Sequence, residues 1–532
     1  MENRFKQSLL DKSTFSVTWE LVPGRGAREK AQDVVFASAE LAARGGKVHA
    51  LTITDNPGGN PAISADYLGM EIRKMGIEPL VHFTCKDKNR NQIESELHAL
   101  ARAEVPNLLV MSGDYPVSGY QGRPRPVYDL DPTHVLSLIN EMNQGLEVPA
   151  PKGTAKITPT DFFPGAAVSP FKREEAEQVT QYYKLKKKIE AGAKFIITQL
   201  GYDARKFHEA LQFIRLSGWD LPVVGNLYVL PYGAARTMNA NLVPGCVVTD
   251  ELLAALDKER TAADKGKEAR LLRSAKMYAF MKGMGFDGVH IGGHGLKYEE
   301  VEYIVDKGHE LYPNWQEYVH EFDYPMKGGF YYFRKDDRTG LNAAEPTDRS
   351  GWRPRKTFRY RTFRLLHHTL FNPKNILFRP VQAFASAMDG SALEKPFTAL
   401  EHLAKVASNN CQQCGDCALF DMAYLCPLSQ CPKNQRNGPC GGSFEGWCEV
   451  YPNERKCVWI RSYERLKAYR EEETLRDTRI PPVNWDLYHT SSWINFWLGR
   501  DHSGPQLGIK PPRKRSGQQA ADGGAKGDAA AR

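Results

Sequence analysis

Three cysteines separated by two-residue gaps, Cys411, Cys414 and Cys417, are followed by Cys426, Cys431, Cys440, Cys448 and Cys457. Eight of the chain's ten cysteines are thus crowded into one stretch that contains no histidine. Thiolates at two-residue gaps can wrap a compact metal centre. Without an export signal, such crowding argues for metal ligation over a disulfide framework, because reducing compartments keep thiols free. By count, eight sulfurs make two four-coordinate sites. Cys426-Pro427 and Cys431-Pro432 match the Cys-Pro ending of ferredoxin-like runs. A [4Fe-4S] cluster, structural zinc and unmetallated thiols are all open, because closed four-cysteine zinc sites use similar short gaps.

A second set of chemically able residues lies at the ends of short apolar runs. Trp19-Glu20-Leu21-Val22-Pro23 places a carboxylate in a mostly apolar setting, where desolvation raises its pKa and suits it to general acid work. A capping or solvated glutamate fits the same position. Thr54-Asp55, His82-Phe83-Thr84-Cys85, Ser112-Gly113-Asp114-Tyr115-Pro116 and Thr198-Gln199 end further runs. Singly, His82 reads as a satisfied core residue and Cys85 as buried filler; their convergence is what marks a site.

The elements that position them alternate β-branched runs with amphipathic helices from about residue 14 to 308, as repeated β/α units around a parallel sheet do. Strands are expected at 16–22, 48–53, 79–84, 107–112, 162–168, 194–199, 222–228 and 288–292, the eight that a closed (β/α)8 TIM barrel needs. Ile93, Leu97 and Leu100 mark one helix face, and Val34, Val35, Ala37 and Leu41 mark another. In such a barrel functional side chains gather at the carboxyl ends of the strands.

The expected division is a barrel over 1–308, an irregular packed connector over 309–360, a smaller helical and irregular cysteine-rich metal-binding domain over 361–503, and a disordered tail over 504–532 carrying Lys510, Arg513, Lys514 and Arg515. In the third region helices are expected at 361–371, 396–407 and 463–473, with Trp485, Trp493 and Trp497 as packing anchors. At 532 residues, 41% hydrophobic and 25% charged, with a net charge of +8, the chain can bury ample core. No run approaches the roughly 20 apolar residues of a membrane span, and the start lacks the apolar core of a secretory signal. A soluble cytoplasmic protein is the expectation.

Taken in order, Glu20, Thr54, His82-Phe83-Thr84-Cys85, Gly113-Asp114-Tyr115-Pro116, the stretch Leu185 to Ala193 and Ile197-Thr198-Gln199 resemble the methylenetetrahydrofolate reductase family along essentially the whole barrel. The resemblance implies a flavin across the strand ends, with tetrahydrofolate stacked on it. Glu20 would be the acid that opens the methylene bridge, and Asp114 would contact both pterin and flavin. Gln199 would bind the pterin, while Thr54, His82, Ala166 and Lys188 would hold the flavin. Lys188 would face its phosphate; the competing reading is a solvated helix face shared with Lys184, Lys186 and Lys187. Where the family usually has Arg, Asp and an aromatic, this chain has Ser112, Gln181 and Val168, which leaves FAD and FMN both open. Leu200-Gly201-Tyr202-Asp203 replaces a phenylalanine-rich stretch and alters the surface used by nicotinamide, so NAD(P)H and a ferredoxin-like one-electron donor are both open.

The cysteine stretch, with Cys440-Gly441-Gly442 and Cys457-Val458-Trp459, is similar to the zinc- or cluster-bearing C-terminal module of atypical, acetogen-type members of the family, where it is a separate subunit. The resemblance implies a reductase of methylenetetrahydrofolate in one-carbon metabolism and methionine biosynthesis, with clusters as an electron route and a homo-oligomer or a complex with a redox partner. The other reading is a folate-binding methyl-transfer or scaffold protein braced by zinc. The basic, aromatic segment 352–379 could meet an acidic carrier or a polyglutamate tail, or pack as a helix with solvated arginines. No nucleic-acid module accompanies it.

Overall fold

The computed structural model describes residues 3–510. Eight parallel strands close into a barrel: β1 Ser16–Leu21, β2 Ala50–Ile53, β3 Glu78–Thr84, β4 Asn107–Met111, β5 Phe163–Val168, β6 Phe195–Thr198, β7 Val223–Tyr228 and β8 Gly288–Gly292. They pair in sequence order, and β1 closes the ring on β8 with Thr18 opposite His290 and Trp19 opposite Ile291. All eight coincide with the expected runs to within about two residues at each end.

The two-residue period of each strand sorts side chains between two cores. Ala50, Leu80, Leu109, Phe163, Phe195 and Val224 fill the barrel interior. The alternate residues, among them Leu51, Val81, Leu108 and Ala166, pack outward against the helices. The interior is plugged at its amino end by a helix not expected from the sequence, Arg4–Leu10, whose Phe5 and Leu9 join the inner cluster. Phe5 stands edge-on to Phe195 at 5.5 Å. With that end filled, the carboxyl end remains for chemistry.

In the helix Arg90–Arg102, Ile93, Leu97 and Leu100 are fully buried, as their spacing predicts. The helix Lys30–Gly45 corrects its expectation. Its buried face is Gln32, Val35, Ser38, Ala39 and Ala42, while Val34 and Leu41 are exposed. Small residues at helical spacing let the helix approach the sheet closely, and the bulkier apolar side chains fall on the far side. The helix ends at Gly46, which takes the left-handed conformation (φ 70°) that glycine adopts without a steric penalty.

The described residues form two compact units: residues 3–354 with 431–482, and residues 355–430 with 483–510. Neither follows the boundaries expected at 308 and 361. In the first, segment 309–354 packs on the barrel through the hairpin Phe333–Lys335 and Asn342–Pro346. Arg205 donates to Asn342 and to the Phe333 carbonyl, and Tyr331 donates to Asp203 at 2.5 Å. A second hairpin, Glu147–Ala150 with Gly153–Lys156, interrupts the β/α alternation.

The same unit takes in the second half of the cysteine-rich stretch, which covers the helix Glu175–Glu190. Lys184 donates to Gln435 and to the Gly438 carbonyl, and Lys187 lies over the Trp459 ring. This corrects the solvated-face reading: Lys184 and Lys187 are buried because a distant segment lies on them. Asp131 anchors that segment, accepting from the amides of Arg436 and Asn437 at 3.1 and 2.9 Å. Burial works against its charge, yet the charges of His134 and Lys184, with hydrogen bonds from the His134 amide and the Asn437 side chain, hold the Asp131 carboxyl down at about 2.

The second unit contains the helices Phe358–Leu366, Phe378–Met388, Glu394–Asn409 and Ser492–Trp497. Phe378, Ala385, Met388, Ile494, Phe496, Trp497 and Ile509 form its core. Trp497 is an anchor as expected, whereas Trp485 is exposed. The tail expected from 504 is structured at its start, where Ser503–Leu507 is a short helix and Ile509 is buried. Residues 511–532, with Arg513, Lys514 and Arg515, lie outside the described residues. Among the described residues no helix is long and apolar enough to cross a membrane.

Candidate functional site

A cavity of about 340 Å³ opens at the carboxyl rim of the barrel. Glu20, Thr54, His82, Asp114, Gln199 and Lys188, which come from six different segments, all line it. The strand period explains why. Thr18 and Glu20 on β1, and His82 and Thr84 on β3, are two apart and share the inward face. Ala166 is the exception among the expected residues: its side chain faces the outer core, and its neighbours Ala167 and Val168 line the cavity instead.

One residue absent from the sequence reading sits at the centre of the rim. His290 on β8 bonds Thr18 Oγ1 through Nδ1 at 2.9 Å and faces Glu20 Oε2 through Nε2 at 3.4 Å. The signal was available, since Gly288–Gly292 was expected as a strand and His290 occupies its central inward position. Ligating atoms of Glu20, His82 and His290 all lie within 4.8 Å of one another. The group can pass a proton along Thr18, His290 and Glu20, or hold a divalent ion.

The electrostatics correct the expected behaviour of Glu20. Burial does push its carboxyl up, but the hydrogen bond and charge of His290, with His82 adding to them, outweigh burial, and the net displacement is downward. Glu20 is therefore a proton acceptor toward His290 before it is an acid. Burial drives His82 the other way, down to about 4, so its ring is neutral at pH 7.

Asp114 follows a tight turn. Gly113 has φ 78°, and a Cβ there would stand 2.9 Å from Thr84 Cβ, so only glycine fits. The Asp114 carboxylate accepts from Gly58 N at 2.7 Å. Lys433 donates to the Gly113 carbonyl at 2.7 Å and pairs with Glu449, both side chains being buried. Lys433, Glu449 and Pro439 to Gly442 thus form one wall of the cavity, built from the cysteine-rich stretch. Gln181, where the family has Asp, ties this wall down by donating to the Cys440 carbonyl at 2.7 Å. An aspartate could not donate there.

The cavity fits a flavin's demands. Thr54 Oγ1, His82 Nε2 and Ser169 Oγ are buried without a hydrogen-bond partner, and buried polar atoms ordinarily have one. Lys188 donates to the Ala167 carbonyl at 2.6 Å, and burial, with Lys184 nearby, lowers its pKa to about 7. A phosphate would supply the missing counter-charge.

The eight cysteines divide four and four between the units: Cys431, Cys440, Cys448 and Cys457 in the first, Cys411, Cys414, Cys417 and Cys426 in the second. Burial pushes the thiols of Cys431 and Cys457 up to about 11 and about 12, so free thiols there stay protonated. Against this, backbone N–H groups are turned to the sulfurs: those of Gln435 and Lys433 to Cys431, Val450 and Tyr451 to Cys448, and Ile460 and Trp459 to Cys457. In the second unit Gln413 N lies 3.3 Å from Cys411 Sγ and Lys405 Nζ lies 3.3 Å from Cys417 Sγ. Such donors suit metal-bound thiolates.

The family model described as methylenetetrahydrofolate reductase matches residues 4–302, and the one described as methylene-tetrahydrofolate reductase C terminal matches residues 391–486. Among solved structures, an uncharacterized protein from Clostridium thermocellum that binds two copies of 5-methyl-5,6,7,8-tetrahydrofolic acid is 11% identical, covering 58% of this chain and 99% of its own, with a TM-score of 0.39. Tryptophan synthase of Mycobacterium tuberculosis is 13% identical, covering 58% of this chain and 97% of its own, with a TM-score of 0.32.

Proposed function

The chain belongs to the methylenetetrahydrofolate reductase family, oxidoreductases of folate one-carbon metabolism, and from that premise we propose that it reduces 5,10-methylenetetrahydrofolate to 5-methyltetrahydrofolate with a bound flavin. The observation that carries the reading is Glu20 and Asp114 on one rim, lining a single cavity whose buried hydroxyl and imidazole atoms lack partners.

When bound and reduced, the flavin supplies hydride. The chain's residues do the rest. Glu20 takes a proton from the His290 side and gives it to the nitrogen of the methylene bridge, which opens the ring to an iminium. Asp114, anchored through Gly58 N, sets a negative charge beside that cation. Gln199 offers an amide to the pterin, and Lys188 with Thr54 and His82 holds the flavin. The family is typically flavin-dependent; FMN and FAD both carry an isoalloxazine and a phosphate, the groups these residues would hold.

We assign each four-cysteine set a [4Fe-4S] cluster. Support comes from the four-and-four division, the absence of histidine among them, and the amide donors at the sulfurs. Electrons then arrive singly from a ferredoxin-like donor. The scaffold reading, with zinc in the cysteine sets and no redox chemistry, is weakened by the retention of Glu20 and Asp114 together at a site with unmet polar atoms.

Anaerobically purified protein is expected to show flavin absorption near about 450 nm and cluster absorption near about 400 nm, both bleaching on reduction. Glu20→Gln should keep the flavin and its reduction while lowering folate reduction by about 10²-fold or more. A colourless zinc protein, or parent-level turnover in Glu20→Gln, would defeat the reading.

A further inference from the structure

Cys440 belongs to two sites at once. It is one of the four cysteines of the first unit, and it lines the same cavity as Glu20, Asp114 and Gln199. None of Cys431, Cys448 and Cys457 is among the residues lining that cavity. The wall that carries Cys440 is clamped to the barrel. Gln181 holds its carbonyl at 2.7 Å, and Lys172 donates to the carbonyls of Gly441 and Ser443 at 2.5 and 2.6 Å. Cys440 Sγ donates to Glu449 Oε2 at 3.1 Å, Glu449 pairs with Lys433, and Lys433 holds the turn that presents Asp114. One short chain of contacts therefore runs from the sulfur to the catalytic rim.

We propose that Cys440 is the point at which electrons enter the cavity: the Cys431, Cys440, Cys448 and Cys457 set is the one that reduces the flavin, with Cys440 as the ligand facing it. This rests on the cluster reading above. In each cycle a one-electron donor reduces the cluster twice; the two electrons, with one proton from solvent, leave the flavin reduced by a hydride equivalent, and the cluster returns to its oxidised state. The Lys433–Glu449 pair balances charge at the sulfur. A buried carboxylate beside a thiolate ligand opposes added negative charge, and the Lys433 ammonium offsets it. The position of this pair makes Glu449 a tuning residue for the potential of that cluster.

The test uses the full chain, purified anaerobically, with iron measured first. If the parent holds no iron, the cluster reading falls, and this inference with it. With iron present, the protein is mixed with reduced methyl viologen and flavin bleaching is followed near about 450 nm. Cys440→Ser is expected to slow bleaching at least tenfold, and by a clearly larger factor than Cys414→Ser in the other set. Bleaching of Cys440→Ser at the parent rate, or equal slowing by Cys414→Ser, overturns the proposal while leaving the cluster reading intact. Should Cys440→Ser fail to fold, Glu449→Gln serves instead. In a potentiometric titration followed by electron paramagnetic resonance it should raise the potential of one cluster and leave the other unmoved. Two unmoved potentials would sink the assignment.

Discussion

Lys188 shows how the setting of a single side chain bears on the proposed flavin site. Its ammonium is buried at the rim, its hydrogen-bond partner is the neutral Ala167 carbonyl, and its pKa is lowered to about 7. An anion binds the protonated form. A phosphate-bearing flavin should therefore take up a proton on binding near neutral pH, and its affinity should fall as pH rises through about 7. Fluorescence titration of the apoprotein with FMN and FAD between pH 6 and 9 measures this. Lys188→Met should weaken binding by about 10- to 100-fold, the worth of a charge-assisted hydrogen bond, and flatten the pH dependence. A steep dependence surviving in that variant would point to another group. Glu20 teaches the converse: an apolar setting alone predicts a raised pKa, but the imidazole that arrives from the last strand reverses the sign.

At the scale of elements, the helix Glu175–Glu190 is the clearest case. Its run of lysines reads as a wet face, yet it is buried on nearly every side because the segment after Cys431 lies along it. Asp131, at the N-cap of the helix Pro132–Gln144, pins that segment. Its folded pKa of about 2 lies below the ordinary 3.8. A depressed carboxyl contributes stability that is present above its unfolded pKa and lost as pH falls through its folded one, here between about 4 and about 2. The shift corresponds to about 2 kcal/mol. Asp131→Ala should cost about 2–4 kcal/mol at pH 7, because buried amide donors are left unpaired as well. Urea unfolding would show it, and a loss under about 0.5 kcal/mol would mean the anchor lies elsewhere.

For the molecule as a whole, the division of the cysteines is the consequential fact. The chain leaves the first unit after residue 354, builds the second, returns at 431 and leaves again after 482. Consecutive cysteines such as Cys426 and Cys431 therefore lie in different units. If each set holds a four-iron cluster, Cys457→Ala and Cys414→Ala should each remove about half of the roughly eight irons per chain, and the double variant nearly all. Iron analysis with electron paramagnetic resonance decides this; complete loss in either single variant would mean one shared site.

The eight strands and the inward carboxylate on the first of them were legible in the sequence, as was the crowding of the cysteines. Each follows from local backbone geometry or side-chain chemistry, and the two-residue alternation even held the unread clue to His290. Only the tertiary structure decided which face of the helix Lys30–Gly45 is buried, that Lys433 and Glu449 wall the cavity, and how eight cysteines fall into two fours. Those outcomes depend on contacts between segments far apart in the chain, Lys433 and Gly113 being 320 positions apart. No local period records which distant segment will compete best for a given buried surface.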